Sequence, residues 1–350
     1  MNHSLSRLCE ARGWALRPAT WQDIDTIVDL HNESFRALVG TDETTAQQVK
    51  SWFEWPGTDL NRDTRLVLGD GDRAVAWAAM YDPEPPYVSN FYDVVIRPGS
   101  WADDALWDAL LHWCEERASS CIKLAEDGAR VCGYARGDAS DSPRHEAFSR
   151  AGFYVTRTNT LMRIDLDADI EKPVWPAGIR IQRFDLERDL GRFAAAHQEA
   201  FRDHWGHVEQ PLEAHTEELR REFASWEEDF RPELWFLAMD GGALAGATGI
   251  YPHLGGDFAR SYVYHVFVRR PWRGKGLAKA LLRHAFRELQ ERDYRTCELH
   301  VDSDNFTGAD RLYEAVGMRA ARITNLYEKE LRPGRDRLTR SLSDTEESPA

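Results

Sequence analysis

Hydrophobic positions along the chain follow two spacings, and the order of those spacings occurs twice. In the first half Ala15–Pro18 reads as a short strand. Trp21–Phe35 then places Ile24, Ile27, Val28, Leu30 and Phe35 at helical intervals. Thr45–Phe53 predicts a second, shorter helix. Leu66–Leu68 and Ala74–Met80 flank the turn Gly69-Asp70-Gly71-Asp72, which is a hairpin signal. Tyr87–Ile96 predicts a strand. Trp101–Ala118 predicts an amphipathic helix with Leu106, Leu110, Leu111 and Trp113 near one side. A strand around Arg130–Tyr134, a helix over Pro143–Ala151 stopped at Gly152, and strands through Phe153–Arg163 complete this half.

The second half repeats the plan. Ile179–Ile181 is a strand; Asp185–Phe201 and Leu212–Ser225 are helices. Leu234–Met239 and Leu244–Tyr251 form a hairpin around Asp240-Gly241-Gly242. A strand over Tyr262–Val268, a helix over Leu277–Arg292 and a strand over Cys297–Val301 follow. Asn305–Val316 reads as a helix ending at Gly317, and Met318–Arg322 and Asn325–Leu331 as the last strands. A repeat this long indicates a duplicated domain, each copy an α/β unit with a mixed sheet and helices on its faces. The expected division is an extension over 1–13, a first domain over 14–167, a linker over 168–178, a second domain over 179–331 and a disordered tail over 332–350. The acidic stretch Asp165–Gly178, with Pro173 and Pro176, marks the linker.

Composition narrows the function classes. There are 44 Lys and Arg against 59 Asp and Glu, a formal net charge of -15. Such a surface repels phosphate backbones and argues against nucleic-acid partners, whereas it suits solubility or the steering of a cationic amine. No apolar run approaches the ~20 residues of a membrane span, and the start MNHSLSRLCEARGW lacks the apolar core of a signal peptide. Cys9, Cys114, Cys121, Cys132 and Cys297 form no CxxC pair and no metal-ligand spacing. The expectation is a metal-free cytoplasmic protein with reduced thiols, a monomer or homodimer, with neither membrane nor nucleic-acid partner.

The chemistry concentrates in Tyr262–Ala280, YVYHVFVRRPWRGKGLAKA. A buried-looking strand ends at Val268, the turn Arg273-Gly274-Lys275-Gly276 follows, and a helix opens at Leu277. Glycines remove side chains where backbone must approach a ligand. The first turn of a helix exposes unpaired N–H groups and a partial positive charge, a combination that binds phosphate. Arg273 and Lys275 add full charges, so Arg273–Ala278 is expected to seat a pyrophosphate. A Walker A loop would need GxxxxGK followed by Ser or Thr, and a dinucleotide fingerprint would need a third glycine; both are absent.

This stretch resembles the GNAT acetyltransferase signature: Arg or Gln, two residues, Gly, one residue, then Gly or Ala. Arg273, Gly276 and Ala278 match it. Asn305–Gly317, NFTGADRLYEAVG, resembles the family's later motif through Asn305, Leu312, Tyr313, Glu314 and Gly317. The resemblance covers about Ile179–Leu331, and the layout is similar to tandem two-domain members of the family. It implies that acetyl-CoA lies between splayed parallel strands, Tyr262–Val268 and Cys297–Val301. The coenzyme arm would pair with the backbone of Val266, Phe267 and Val268, and its pyrophosphate would rest on Arg273, Gly274, Lys275, Gly276, Leu277 and Ala278. Asn305 would hold the arm, and Tyr313 would act as general acid to the departing thiolate.

The attacking amine must also lose a proton. Glu298, His300 and His265 are the base candidates, although a lone strand histidine is more often structural. Phe201–His207, with His204, Trp205 and His207, is the candidate acceptor contact. The first half departs from the motif. At the matching place it reads Arg97-Pro98-Gly99-Ser100-Trp101-Ala102-Asp103-Asp104, and two carboxylates stand where phosphate would sit. Phe148 or Ser149 stands near the position of the tyrosine. This half is therefore read as a degenerate GNAT copy beside a catalytic one. The expected activity is acetyl transfer from acetyl-CoA to a primary amine of a small molecule by direct attack. The alternatives are protein or peptide N-acetylation, or a non-catalytic acyl-CoA sensor.

Overall fold

The computed structural model describes residues 3–81, 85–202, 210–226, 230–302 and 309–336. In chain order the first elements are α1 (His3–Ala11), β1 (Ala15–Arg17), α2 (Ile24–Val39), α3 (Ala46–Phe53), α4 (Leu60–Asp63), β2 (Thr64–Leu68), β3 (Ala74–Tyr81) and β4 (Ser89–Ile96). They are followed by α5 (Asp104–Ser119), β5 (Val131–Asp138), α6 (Ser142–Arg150), β6 (Tyr154–Asp165), β7 (Ile179–Arg183), α7 (Leu186–Phe201) and α8 (Leu212–Ser225). The last are β8 (Trp235–Asp240), β9 (Ala243–Pro252), β10 (Arg260–Val268), α9 (Leu277–Gln290), β11 (Thr296–Asp302), α10 (Ala309–Glu314) and β12 (Arg319–Arg332).

Helix starts follow side-chain capping chemistry. Thr45 and Gln48 form a reciprocal box at α3, while Asp141 and Asp185 accept from the third amide of α6 and α7. Gly40 ends α2 in the left-handed region at φ 81°.

Two compact units result. One comprises Met1–Asn159 with Ile323–Arg337, the other Thr160–Arg322. The first holds the strand order β1-β2-β3-β4-β5-β12 and the second β6-β11-β10-β9-β8-β7. In the first unit, strand alternation sorts side chains to two faces. Val67, Ala76, Ala78 and Val94 pack with Leu106, Leu110 and Trp107, while Leu66, Trp77, Ala79 and Val95 pack with Ile27, Leu30 and Val49. The core of the second unit is aromatic, built from Phe184, Phe193, Phe223, Trp235 and Phe267, and continues through Leu281 and Phe286 of α9.

The units cut the chain differently from the expected boundaries. Residues 3–11 are no loose extension, since Leu5 and Cys9 are fully buried in the first core. The stretch expected as linker packs on the second unit. Leu166 and Ile170 are buried there, Gln290 Nε2 donates to the Leu166 carbonyl at 2.6 Å and Arg287 donates to that of Ile170 at 3.0 Å. The two final strands expected from Met318–Leu331 are one strand, β12, which starts in the second unit and runs into the first. There Thr324–Arg332 pair antiparallel with Val131–Asp138 of β5. Buried Glu328 on β12 accepts from Arg130 at 2.6 Å and from the Tyr154 hydroxyl at 2.7 Å. The start of the expected tail is ordered too: Arg332 ends β12, and Arg335 bridges to Ala129. Residues beyond 336 lie outside the described residues.

Candidate functional site

The site is built from the way β10 leaves its neighbour. Parallel pairing with β11 runs over Arg260↔Thr296, Ser261↔Cys297 and Tyr262↔Glu298 and then stops. Antiparallel pairing with β9 continues to Val268↔Gly246, across a bulge between Val263 and His265. A bulge re-aims a strand and sharpens its twist. From Val263 onward, β10 therefore presents to the β11 side backbone groups that have no strand partner among the described residues. An extended chain bearing amides can satisfy them by adding itself as a strand. Val266 and Val268 are half-buried, and Phe267 between them is buried in the aromatic core.

The strand leads directly into the turn. Gly274 and Gly276 have φ of 73° and 79°, the region that glycine enters without cost, and a Cβ at either would meet nothing within 4 Å. Gly276 is the N-cap of α9 and supplies no side-chain cap. Among the described residues, no carbonyl or side chain accepts from the amides of Gly274, Lys275, Gly276, Leu277 or Ala278. Leu277 is buried and anchors the helix start, while Ala278 is half-buried. The result is an open helix N-terminus with unpaired donors. Arg273 serves it differently from expectation. Its guanidinium donates to the Val268 carbonyl and to the Ala200 carbonyl, each at 2.9 Å, and so ties the turn to the end of β10 and to α7. The Lys275 ammonium reaches the Pro271 carbonyl at 2.9 Å and is exposed.

The other candidates divide. Tyr313 on α10 is 8% exposed and belongs to the second core. Glu298 is buried, and its oxygens are taken by Arg163 at 2.6 Å and Arg260 at 3.2 Å. A carboxylate committed to two guanidiniums forms a structural clamp between β6, β10 and β11. His300 is exposed, with Nδ1 2.9 Å from the hydroxyl of Tyr262, and lies just past Glu298, the last β11 residue paired with β10. His265 is buried behind β10. Asn305, His204, Trp205 and His207 lie outside the described residues. Within Phe201–His207, Phe201 is described and stacks on His197 with ring centroids 4.3 Å apart. Sequence motifs alone point to neither His197 nor His215, Glu218 and Glu222, which gather with His265. On α8 the last three recur at three and four residues, a periodic polar stripe that was available as a signal.

A family model for the GNAT acetyltransferase family matches residues 196–318, from α7 through α10. A mycothiol acetyltransferase of Thermobispora bispora is 30% identical over 269 residues, covering 75% of this chain and 83% of that protein. The chain belongs to the GNAT acetyltransferase family. A mycothiol acetyltransferase of Streptomyces avermitilis is 29% identical across 89% of this chain and 97% of its own length. Among solved structures, a GCN5-related N-acetyltransferase from Sphaerobacter thermophilus aligns with a TM-score of 0.76 at 29% identity, covering 92% of this chain and 97% of that one. A tandem GNAT protein of the clavulanic acid biosynthesis pathway shares the fold, with a TM-score of 0.71 at 17% identity over 92% and 100% of the two chains.

The first unit of this tandem GNAT acetyltransferase keeps the splay but closes the turn. β4 pairs with β5 only over Ser89–Tyr92, while its pairing with β3 continues to Ile96. At the following helix, Asp103 caps α5 by accepting from the Leu106 amide at 3.1 Å, and Arg12 pairs with the same carboxylate. That guanidinium is the main cause of a lowered Asp103 pKa, so the negative charge persists where an anion would dock. Arg97, at the start of this loop, is held by Glu33. The Leu106 amide at the start of α5 is satisfied internally here. Among the described residues, no group of His, Cys, Asp and Glu is arranged to hold a metal, and no helix is long and apolar enough to cross a membrane.

Proposed function

We propose that the second unit transfers an acetyl group from acetyl-CoA to a primary amine of a small molecule by direct attack. The observation that carries this reading is the continuity of the unpaired edge of β10 with the open amides of Gly274–Ala278. Acetyl-CoA supplies an activated thioester. The arm of the coenzyme adds to β10 along Val266–Val268, and its diphosphate takes the amides at the start of α9. Arg273 keeps that turn in register, and Lys275 adds charge from the solvent side. Asn305 belongs in the same reading as a contact to the arm. Tyr313 protonates the departing thiolate. Amine acceptors are cationic at neutral pH, and the net charge of -15 favours their approach. The first unit binds no coenzyme.

Calorimetry with acetyl-CoA is expected to return one site per chain. Mass spectrometry is expected to detect an acetylated product when the amine form of mycothiol, lacking its acetyl group, is offered. Absence of coenzyme binding, or two equal sites per chain, contradicts the reading.

A further inference from the structure

Three histidines from three elements form an unbroken chain behind β10. His265 Nδ1 lies 3.1 Å from His197 Nε2 on α7, and His197 Nδ1 lies 3.1 Å from His215 Nε2 on α8. His215 Nδ1 lies 3.3 Å from Glu218 Oε2. Gln210 Nε2 donates to the same Glu218 oxygen at 2.8 Å and stands 3.3 Å from His215 Nδ1. At the other end, Glu222 places Oε2 3.9 Å from His265 Nε2, and its Oε1 accepts from the Tyr264 hydroxyl. Tyr264 is the bulge residue of β10, just past the last register shared with β11. The chain thus starts at the mouth of the cleft and ends at Glu218, whose side chain is 44% exposed.

One boundary condition orders every proton. Glu218 has a lowered pKa, chiefly through its bond with His215, and a carboxylate can only accept. His215 therefore carries a hydrogen on Nδ1, and in the tautomer that leaves Nε2 bare it accepts there. His197 must then donate from Nδ1 and accept at Nε2, and His265 must do the same. This leaves His265 Nε2 a bare acceptor. It is buried without a hydrogen-bond partner among the described residues, and it faces Glu222. All three rings point the same way, which is the arrangement a directional proton transfer needs. The rings are fixed by packing: His197 lies between Phe193 and Phe201, and His265 against Trp235 and Phe193.

Resting on the acetyl-transfer reading above, we propose that this chain is the proton exit of the reaction. Glu222 takes a proton from the acceptor ammonium and passes it across the 3.9 Å to His265 Nε2 through one water, and His265, His197 and His215 hand it on to Glu218 and solvent. An N–H bond breaks and an O–H bond forms on Glu222. The free amine then forms the C–N bond as the C–S bond of the thioester breaks. Of the two protons the nitrogen sheds, one ends on the coenzyme thiol by way of Tyr313 and the other leaves through the chain. Burial raises the Glu222 carboxyl to about 7, against the opposing hydrogen bond from Tyr264 and with nearby Glu218 adding to the rise. A base with this affinity is matched to neutral pH. Burial is the main cause that holds His265 down to about 3, so a proton passes across the ring without resting there. Among the described residues, the charged and titratable groups around the pair include Glu218, His215, His197 and Tyr264.

The test combines a tautomer measurement with kinetics. Nitrogen-15 NMR of histidine-labelled protein is expected to report His265, His197 and His215 as Nδ1–H tautomers; a proton on His265 Nε2 overturns the polarity and the proposal. With acetyl-CoA and the amine form of mycothiol, wild-type turnover is expected to rise with pH through about 7 as Glu222 ionises. Glu222→Gln is expected to lose that limb and about 100-fold or more in kcat. Glu222→Asp is expected to restore the limb, and His197→Phe to lower kcat by about 10-fold with coenzyme affinity unchanged. A His197→Phe or Glu222→Gln enzyme with wild-type kcat and pH profile overturns the relay. A wild type that binds no acetyl-CoA overturns the function proposed above and the role of the chain in it, while the tautomers still report whether the chain itself is wired as described.

Discussion

Arg273→Glu is expected to weaken coenzyme A binding by about 100-fold to 10,000-fold, as measured by calorimetry on the full chain. Among the described residues the guanidinium donates to the carbonyls of Val268 and Ala200, each at 2.9 Å. Bonds from a charged donor contribute about 1.5–3 kcal/mol each, and losing both accounts for that range. The substitution also points a carboxylate at two carbonyl oxygens beside the proposed diphosphate seat, so the turn is released and the local field reversed. Arg273→Lys keeps the charge and loses the two-point brace, and its affinity should fall between wild type and Arg273→Glu. Wild-type affinity in Arg273→Glu would mean that the diphosphate lies elsewhere.

Tyr313→Phe is expected to lower kcat by about 100-fold or more while leaving acetyl-CoA binding intact. The residue is 8% exposed and packed in the second core. A phenylalanine fills the same space without the hydroxyl proposed to protonate the thiolate. A phenol titrates near 10, close enough to a thiol for efficient transfer to a departing thiolate. Normal turnover by Tyr313→Phe would remove it from the proton transfer. A parallel loss of coenzyme affinity would assign it to packing instead.

The elements that rest on local patterning were legible in the sequence. The spacing of apolar residues predicts α2, α5, α7, α8 and α9, and the Asp-Gly turns predict the hairpins β2–β3 and β8–β9, because periodicity and turn chemistry are local properties. The turn at Arg273–Ala278 was legible for the same reason, since two glycines between a strand and a helix leave few alternatives. What depended on distant partners was not. Nothing local in Asn325–Leu331 says that its neighbour is β5, nearly 200 residues earlier in the chain. The α1 helix reads as a polar start until Leu5 and Cys9 are found buried against α5. The role of Arg273 was half legible: its charge is in the motif, but its bonds to Val268 and Ala200 need the folded turn. The histidine chain is the clearest case. His197, His215 and His265 come from three separate elements, and each alone reads as an ordinary core histidine.

The unpaired amides at the start of α9 are the centre of this account, and a crystal structure with coenzyme A bound tests them most directly. The expected result places diphosphate oxygens within hydrogen-bonding distance of amides between Gly274 and Ala278, with the arm of the coenzyme running along Val266–Val268. A coenzyme bound in the first unit near Asp103, or a turn at Gly274–Ala278 closed onto its own side chains, would contradict it.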